Sequence, residues 1–156
     1  MNLPEEVIEV LKDPETIKVL TTTDERGTPH TVFKGSLMAL DNETLAYMEL
    51  LETCRTQRNM LRNHWDNKLV VVSIFNGKIN ISYQIKGEPS RFLYNGPIWD
   101  QFLEQTWKVI PQSDPAGVWV IKVKEVINQD YGIRRKEEEK RVINQDIWRR
   151  FIGVRP

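Results

Sequence analysis

Hydrophobic and polar residues alternate in several short segments of the chain, and this pattern predicts a mainly β protein. The alternation is regular from 79 to 86, where isoleucine or tyrosine occupies every second position. The apolar segment 69–75 precedes it, and the two are separated by Asn76-Gly77, a dipeptide favoured in two-residue type I′ hairpins. We therefore predict two antiparallel strands joined by a tight turn.

Other segments have the β-branched and aromatic content of strands, bounded by turn-forming residues: 16–23, about 30–40, 44–52 and 117–123. Apolar residues recur at helical spacing in segments 3–11 and 98–107, and segment 54–63 loses the strand alternation and is rich in good helix formers. Pro89 in the return strand indicates a sheet edge or a bulge. The predicted order is helix, three strands, helix, two strands, helix, strand and tail, which favours a small antiparallel barrel over a parallel α/β sheet.

The end of the chain has a different composition. Segment 134–141 contains opposite charges three and four residues apart, which is typical of a solvated helix. Apolar residues return from Val142 to Ile152, so we expect this segment to pack on its own domain or on a second subunit. The predicted organisation is a barrel domain at 1–130 and a helical extension at 131–156.

The junction after strand 44–52 is the strongest candidate for a binding site. Thr53 is a predicted N-cap, and Arg55 and Thr56 then fall in the first helical turn. Free amides, a guanidinium and a hydroxyl at a helix start suit a phosphate group. The alternative is an ordinary threonine cap followed by a solvated arginine.

Composition excludes some classes of function. Lysine plus arginine equals aspartate plus glutamate, 22 each, so the formal net charge is zero, which argues against a general nucleic-acid-binding protein. The single cysteine allows no internal disulfide, and neither a signal-peptide pattern nor a membrane-length apolar run occurs. We expect a cytoplasmic protein that binds neither nucleic acid nor membranes.

Three other residues carry reactive side chains: Cys54, His30 and His64. Cys54 at a helix start beside Arg55 could form a thiolate, although a small buried side chain is the favoured interpretation. His30 and His64 lack the spacing of metal ligands, so no metal site is predicted. No residue stands out as catalytic.

Segments 27–32, 44–50, 53–61 and 85–88 resemble, in their order and spacing, the FMN-binding split barrels of the pyridoxamine 5′-phosphate oxidase-like superfamily. The chain is most similar to the small bacterial FMN-binding proteins of that group. The resemblance implies a six-stranded antiparallel barrel of Greek-key type with FMN as cofactor. It also implies a homodimer with the flavin sites at the subunit interface, and a small-molecule redox partner.

By position, the resemblance assigns roles to eight residues. Arg55 and Thr56 would hold the FMN phosphate, and the others would contact the rest of the flavin: Lys34 and Ser36 on the strand beneath it, Met48, Glu49 and Leu50 along the ring edge, and Trp107 from the other subunit. Phe33 and Met38 stand where the oxidase has cations, so that specific oxidase activity is not expected. The expected function is an FMN-dependent oxidoreductase or electron-transfer protein; the alternative is a barrel that has lost FMN and binds another ligand or only dimerises.

Overall fold

The computed structural model describes residues 1–141. Four helices and seven strands follow one another in these bounds: α1 Glu5–Lys12, β1 Ile17–Thr23, β2 Pro29–Phe33, β3 Met38–Ala39, β4 Thr44–Glu49, α2 Arg55–Trp65, β5 Val70–Asn76, β6 Ile81–Leu93, α3 Pro97–Val109, β7 Gly117–Asn128 and α4 Tyr131–Arg141. No described helix is long and apolar enough to cross a membrane.

All seven strands belong to one antiparallel sheet in the order β2-β1-β5-β6-β7-β4-β3. Residues from β1, β4, β5, β6 and β7 contribute to one buried apolar cluster, with Leu20, Tyr47 and Trp119 among its members. The two edge strands, β2 and β3, are joined by residues 34–37 alone and both pack against this cluster through Val32 and Ala39, so the sheet must curl to bring its edges together. The prediction of a mainly β, curled antiparallel sheet with peripheral helices is therefore confirmed.

The helices cover different faces of this sheet. Val7, Val10 and Leu11 of α1 are buried in the enclosed cluster. Phe102 of α3 packs on the opposite face, in a second cluster with Met48 and its neighbours. Met48 and Tyr47 thus face opposite sides, as the alternation of β4 requires.

Polar contacts fix the position of α2. Asn59 Nδ2 donates to Thr22 Oγ1 at 3.0 Å, and Asn63 Nδ2 donates to the Thr23 carbonyl at 3.1 Å. Both asparagines are buried. Buried polar groups must find partners, so these bonds restrict how α2 can sit on β1 and thereby fix where its first turn lies.

The prediction of six strands was wrong, because segment 30–40 is not one strand. The chain leaves β2 at Lys34, makes a turn over 34–37, and re-enters the sheet as β3. Lys18 holds this turn from the neighbouring strand: its ammonium donates to the Leu37 carbonyl at 3.0 Å and to the Gly35 carbonyl at 3.4 Å. Because Lys18 is remote in sequence, the local pattern did not reveal the break.

The 69–86 hairpin exists, but the predicted type I′ turn was wrong. Residues 77–80 form a longer turn, and positive φ occurs at Asn80 rather than at Gly77. Asn76 instead ends β5 as a buried link, because its Nδ2 donates to Asp13 at 2.9 Å and to Thr16 at 3.0 Å. The side chain is used in tertiary bonds, so the turn begins one residue later.

The bulge predicted near Pro89 is confirmed. The β6–β7 register shifts between Lys86 and Gly87 and again between Pro89 and Arg91. Proline lacks the N–H that a regular strand pairing needs, and the irregular register around Pro89 removes that need. Pro89 can therefore occur in β6, which lies between β5 and β7 rather than at the edge of the sheet.

The charged segment 134–141 lies in α4, where Arg134 pairs with Glu137 and Arg135 with Glu138 and Glu139. The solvated helix is therefore confirmed. The apolar segment 142–152 lies outside the described residues, and the division at residue 130 stays a prediction.

Candidate functional site

A cleft of about 840 Å³ opens where four parts of the fold meet. The turn between β2 and β3, the end of β4, the start of α2 and the last turns of α3 each contribute side chains. Most of the exposed surface of the lining is apolar and comes from eight residues: Val32, Phe33, Met48, Leu50, Leu51, Phe102, Val109 and Ile110. The polar lining is His30, Lys34, Ser36, Glu49, Cys54, Thr56, Gln105 and Thr106.

An ion pair lies in the wall of the cleft. Lys34 Nζ is 3.0 Å from Glu49 Oε2, and the two side chains are 14% and 3% exposed. The other carboxylate oxygen, Oε1, accepts from the amides of Leu50 at 3.1 Å and Leu51 at 3.4 Å. Glu49 therefore neutralises Lys34 and occupies two backbone donors that would otherwise face a ligand.

Tyr47 lies beside this pair. The Lys34 ammonium stands 4.8 Å from the centre of the Tyr47 ring, a cation–π contact. The Tyr47 hydroxyl is buried and has no hydrogen-bond partner among the described residues. Burial, with the nearby Glu49 charge, raises the pKa of Tyr47 well above its usual value, so the phenol stays neutral.

The floor of the cleft is held by a backbone contact to the turn. Met48 donates its N–H to Ser36 Oγ at 2.9 Å. Ser36 thus joins the 34–37 turn to β4, and the Met48 amide is already engaged in the protein alone.

The first turn of α2 lies at one end of the cleft, where Thr56 contributes to the lining. Its N-cap is Cys54, not Thr53: the Cys54 sulfur accepts from the Gln57 amide at 3.4 Å, which corrects the predicted cap. Arg55 and Thr56 fall in the first turn as predicted. Among the described residues, no acceptor is bonded to either of their amides, so both remain open to an anion.

Cys54 is expected to react slowly with iodoacetamide. Burial, supplemented by the Glu49 charge, raises the pKa of the thiol, which outweighs the lowering by the Gln57 amide. Below the pKa of a free thiol, Cys54 should be alkylated more slowly in the folded protein than in the urea-unfolded protein. The difference between the two rates should narrow as pH rises through the higher pKa of the folded state. Mass spectrometry of pH-stepped labelling measures this. Faster labelling of the folded form would support the thiolate interpretation instead.

The structure brings together six of the eight predicted site residues: Lys34, Ser36, Met48, Glu49, Leu50 and Thr56. Arg55 is exposed and lies next to the lining without belonging to it. Trp107 also lies outside the lining, 46% exposed, with its Nε1 donating to the Ser113 carbonyl at 2.8 Å. The roles assigned to these residues towards a flavin stay predictions.

Sequence reasoning missed the contribution of α3. Phe102, Gln105, Thr106, Val109 and Ile110 form one side of the cleft, although the predicted helix pointed only to Trp107. Their spacing of three and four residues was a usable signal, because such residues share one helix face.

The rim of the cleft is unusually apolar for a surface. Phe33 is 80% exposed, Val109 81% and Leu51 64%, and all three line the cleft. A contiguous patch of this kind is typical of a surface that binds a ligand or another protein.

Comparison with solved structures places this fold among known proteins. A candidate pyridoxamine 5′-phosphate oxidase from Listeria innocua has a TM-score of 0.64 at 18% identity, covering 81% of this chain and 97% of its own. An FMN-binding protein from Syntrophomonas wolfei has a TM-score of 0.62 at 15% identity, covering 80% and 86%. HutZ, the heme storage protein of Vibrio cholerae, has a TM-score of 0.55 at 14% identity, covering 82% and 95%.

The resemblance to pyridoxamine 5′-phosphate oxidase-like proteins is therefore confirmed at the level of the fold. No protein-family model and no curated protein matches the sequence. Proteins of the same fold include flavin-binding and heme-storing members, so the ligand must be argued from the cleft itself.

Proposed function

We propose that this chain is an FMN-binding flavoprotein with a split-barrel fold. The observation that carries the proposal is the apolar cleft of about 840 Å³ that ends at the open first turn of α2. Its volume lies within the range of about 300–1,000 Å³ typical of cofactor sites. An apolar cavity with an anion-binding end suits a flat ring joined to a phosphate.

The residues present fit the two ends of FMN. At the phosphate end, the Arg55 and Thr56 amides and the Thr56 hydroxyl offer hydrogen bonds, and the exposed Arg55 guanidinium can add a charged one. At the ring end, Met48, Leu50 and Phe102 offer apolar walls. Lys34 contributes little net charge because Glu49 is bonded to it.

The apolar rim supports a homodimer in which the cleft lies at the subunit interface. Phe33, Leu51 and Val109 would each lose exposed apolar surface on association. Trp107, half-exposed on the same helix as Val109, would then approach the ring of the partner's flavin. When bound, the flavin supplies the redox chemistry, and the proposed role is oxidation or reduction of a small molecule.

A second function also has an observation in its favour. Lys34 is the single lysine or arginine in the described lining of the cleft, and Glu49 neutralises it; Phe33 in the same lining is uncharged. A barrel that binds a different, uncharged or differently charged ligand would have this composition.

The decisive experiment is titration of the purified protein with FMN and with riboflavin, which lacks the phosphate. We expect yellow protein or saturable quenching of FMN fluorescence. Arg55→Ala and Thr56→Val should each raise the Kd for FMN by about tenfold, because a charge-assisted bond contributes about 1.5–3 kcal/mol. Riboflavin affinity should not change in either variant.

The matched control is Arg58→Ala, which removes an exposed arginine from the same helix without touching the cleft. It should bind FMN as the parent does. Sedimentation of the same samples should give the mass of two chains. If the purified protein is colourless, does not quench FMN fluorescence and is not stabilised by FMN, the second function is favoured. If both variants bind FMN as tightly as the parent, the assignment of Arg55 and Thr56 to the phosphate is wrong.

A further inference from the structure

A second cavity, of about 470 Å³, shares no lining residue with the cleft. Three aromatic and three polar side chains line it: Glu52, Gln57, Phe92, Tyr94, Trp99 and Asp114. They come from the loop before α2, the first turn of α2, the end of β6, the start of α3 and the loop before β7.

One aromatic wall of this cavity is held rigidly. The Phe92 ring packs on the buried Trp119 ring, with centroids 5.0 Å apart. Gly117 leaves room for it, since a Cβ there would stand 2.4 Å from the Phe92 ring. Trp99 is half-buried in the first turn of α3, and Tyr94 is 68% exposed at the edge. The Phe92 wall of the cavity is therefore in place before any ligand arrives.

The charges at the cavity are negative. Glu52 and Asp114 form no ion pair with any described residue. The described lining contains no lysine or arginine. Carboxylates and aromatic faces both attract cations, and they repel anions.

Gln57 adds an unused donor. Its side chain is 5% exposed, and its Oε1 accepts from Trp119 Nε1 at 2.7 Å. An indole can only donate, so this bond fixes which end of the amide is oxygen. The amide nitrogen, Nε2, has no acceptor among the described residues, although Gln57 lines the cavity. This nitrogen is not among the buried side-chain atoms that lack a partner, so it still reaches solvent at the cavity and can donate to an acceptor on a ligand.

We propose that this cavity binds a small organic cation, an alkylammonium that also carries a hydroxyl or carbonyl oxygen. The ammonium would lie against the aromatic faces near Glu52 and Asp114, and the oxygen would accept from Gln57 Nε2. Aromatic cages recognise alkylated ammonium groups in this way. A bare metal ion fits less well, because no group of three metal-ligating side chains occurs among the described residues and the aromatic rings add no ligand oxygen to the two carboxylates.

The test is calorimetric titration of the full-length protein with choline, followed in parallel by tryptophan fluorescence. Choline should bind saturably and change the emission of Trp99. Its uncharged isostere, 3,3-dimethylbutanol, should not bind. Tetramethylammonium, which lacks the oxygen, should bind more weakly than choline.

Two variants locate the site. Glu52→Gln combined with Asp114→Asn should raise the Kd for choline by about tenfold, and Trp99→Leu should both weaken binding and remove the fluorescence change. Trp65→Leu is the control, because Trp65 is 80% exposed and does not line the cavity. Absence of saturable choline binding, or binding that the double variant leaves unchanged, would overturn the proposal. FMN titration reports on the other cleft, so the two results are independent.

Discussion

Replacing Glu49 with glutamine is expected to lower the free energy of unfolding by about 3 kcal/mol, because it leaves the Lys34 ammonium buried without its counter-ion. The pair is close and nearly inaccessible, with 3.0 Å between Nζ and Oε2 and the Glu49 side chain 3% exposed. Solvent screening, which weakens most surface pairs, is therefore small here. Urea denaturation followed by circular dichroism measures the change.

The matched control is Glu25→Gln, which breaks an exposed pair with Arg62, whose side chains are 63% and 37% exposed. That change should cost no more than about 1 kcal/mol, as for other surface pairs. If Glu49→Gln lowers the free energy of unfolding as little as Glu25→Gln does, water must screen the Lys34–Glu49 pair. That result would contradict the low exposure of the two side chains.

The same Glu49→Gln variant also bears on function. Removing the carboxylate leaves Lys34 as a net cation in the cleft. If the cleft holds the FMN phosphate as proposed, FMN affinity should rise while stability falls. If FMN affinity and stability both fall, the substitution merely loosens the fold. Titration with riboflavin distinguishes this result from an effect on the phosphate.

Gly87→Ala is expected to lower the free energy of unfolding by about 3 kcal/mol, at the upper end of what overpacking costs. An added Cβ would stand 2.4 Å from Ile121 Cγ2 and 3.0 Å from the Lys122 carbonyl oxygen. Ile121 is fully buried and Lys122 presents backbone, so neither neighbour can move without disturbing β7. Thermal unfolding measures the loss.

Gly35→Ala is the matched control for this prediction. A Cβ at Gly35 would meet nothing within 4 Å, and its φ is not in the left-handed region. Its unfolding free energy should change by no more than about 0.5 kcal/mol, or rise slightly because alanine restricts the unfolded chain. Equal losses in the two variants would show that glycine at 87 is kept for reasons other than space.

Two errors in the sequence-based prediction have a common cause. The strand predicted at 30–40 is broken by Lys18, which binds the Gly35 and Leu37 carbonyls from another strand. The turn predicted at Asn76 is displaced because Asn76 bonds to Asp13 and Thr16. In both cases a side chain distant in sequence competes with the local preference, and local patterns do not contain that information.

Some features of the candidate site could likewise be predicted from the sequence, and others depended on contacts between distant segments. The local sequence placed Arg55 and Thr56 at a helix start, and the family resemblance placed Met48 to Leu50 at the site; of these residues, all but Arg55 line the cleft. The neutralisation of Lys34 by Glu49 could not be predicted, since it depends on how β2 and β4 approach across the curled sheet. The same holds for the α3 wall of the cleft.

The sequence by itself determined most of the strand and helix segments, the antiparallel class and the position of the α2 start, because these follow from hydrophobic periodicity and turn residues within short segments. Only the tertiary structure decided how the sheet curls, that Glu49 neutralises Lys34, and which residues share a cavity. Those features arise from contacts between segments far apart in the chain, where burial and the need to satisfy every polar group select one arrangement from the many that the local pattern allows.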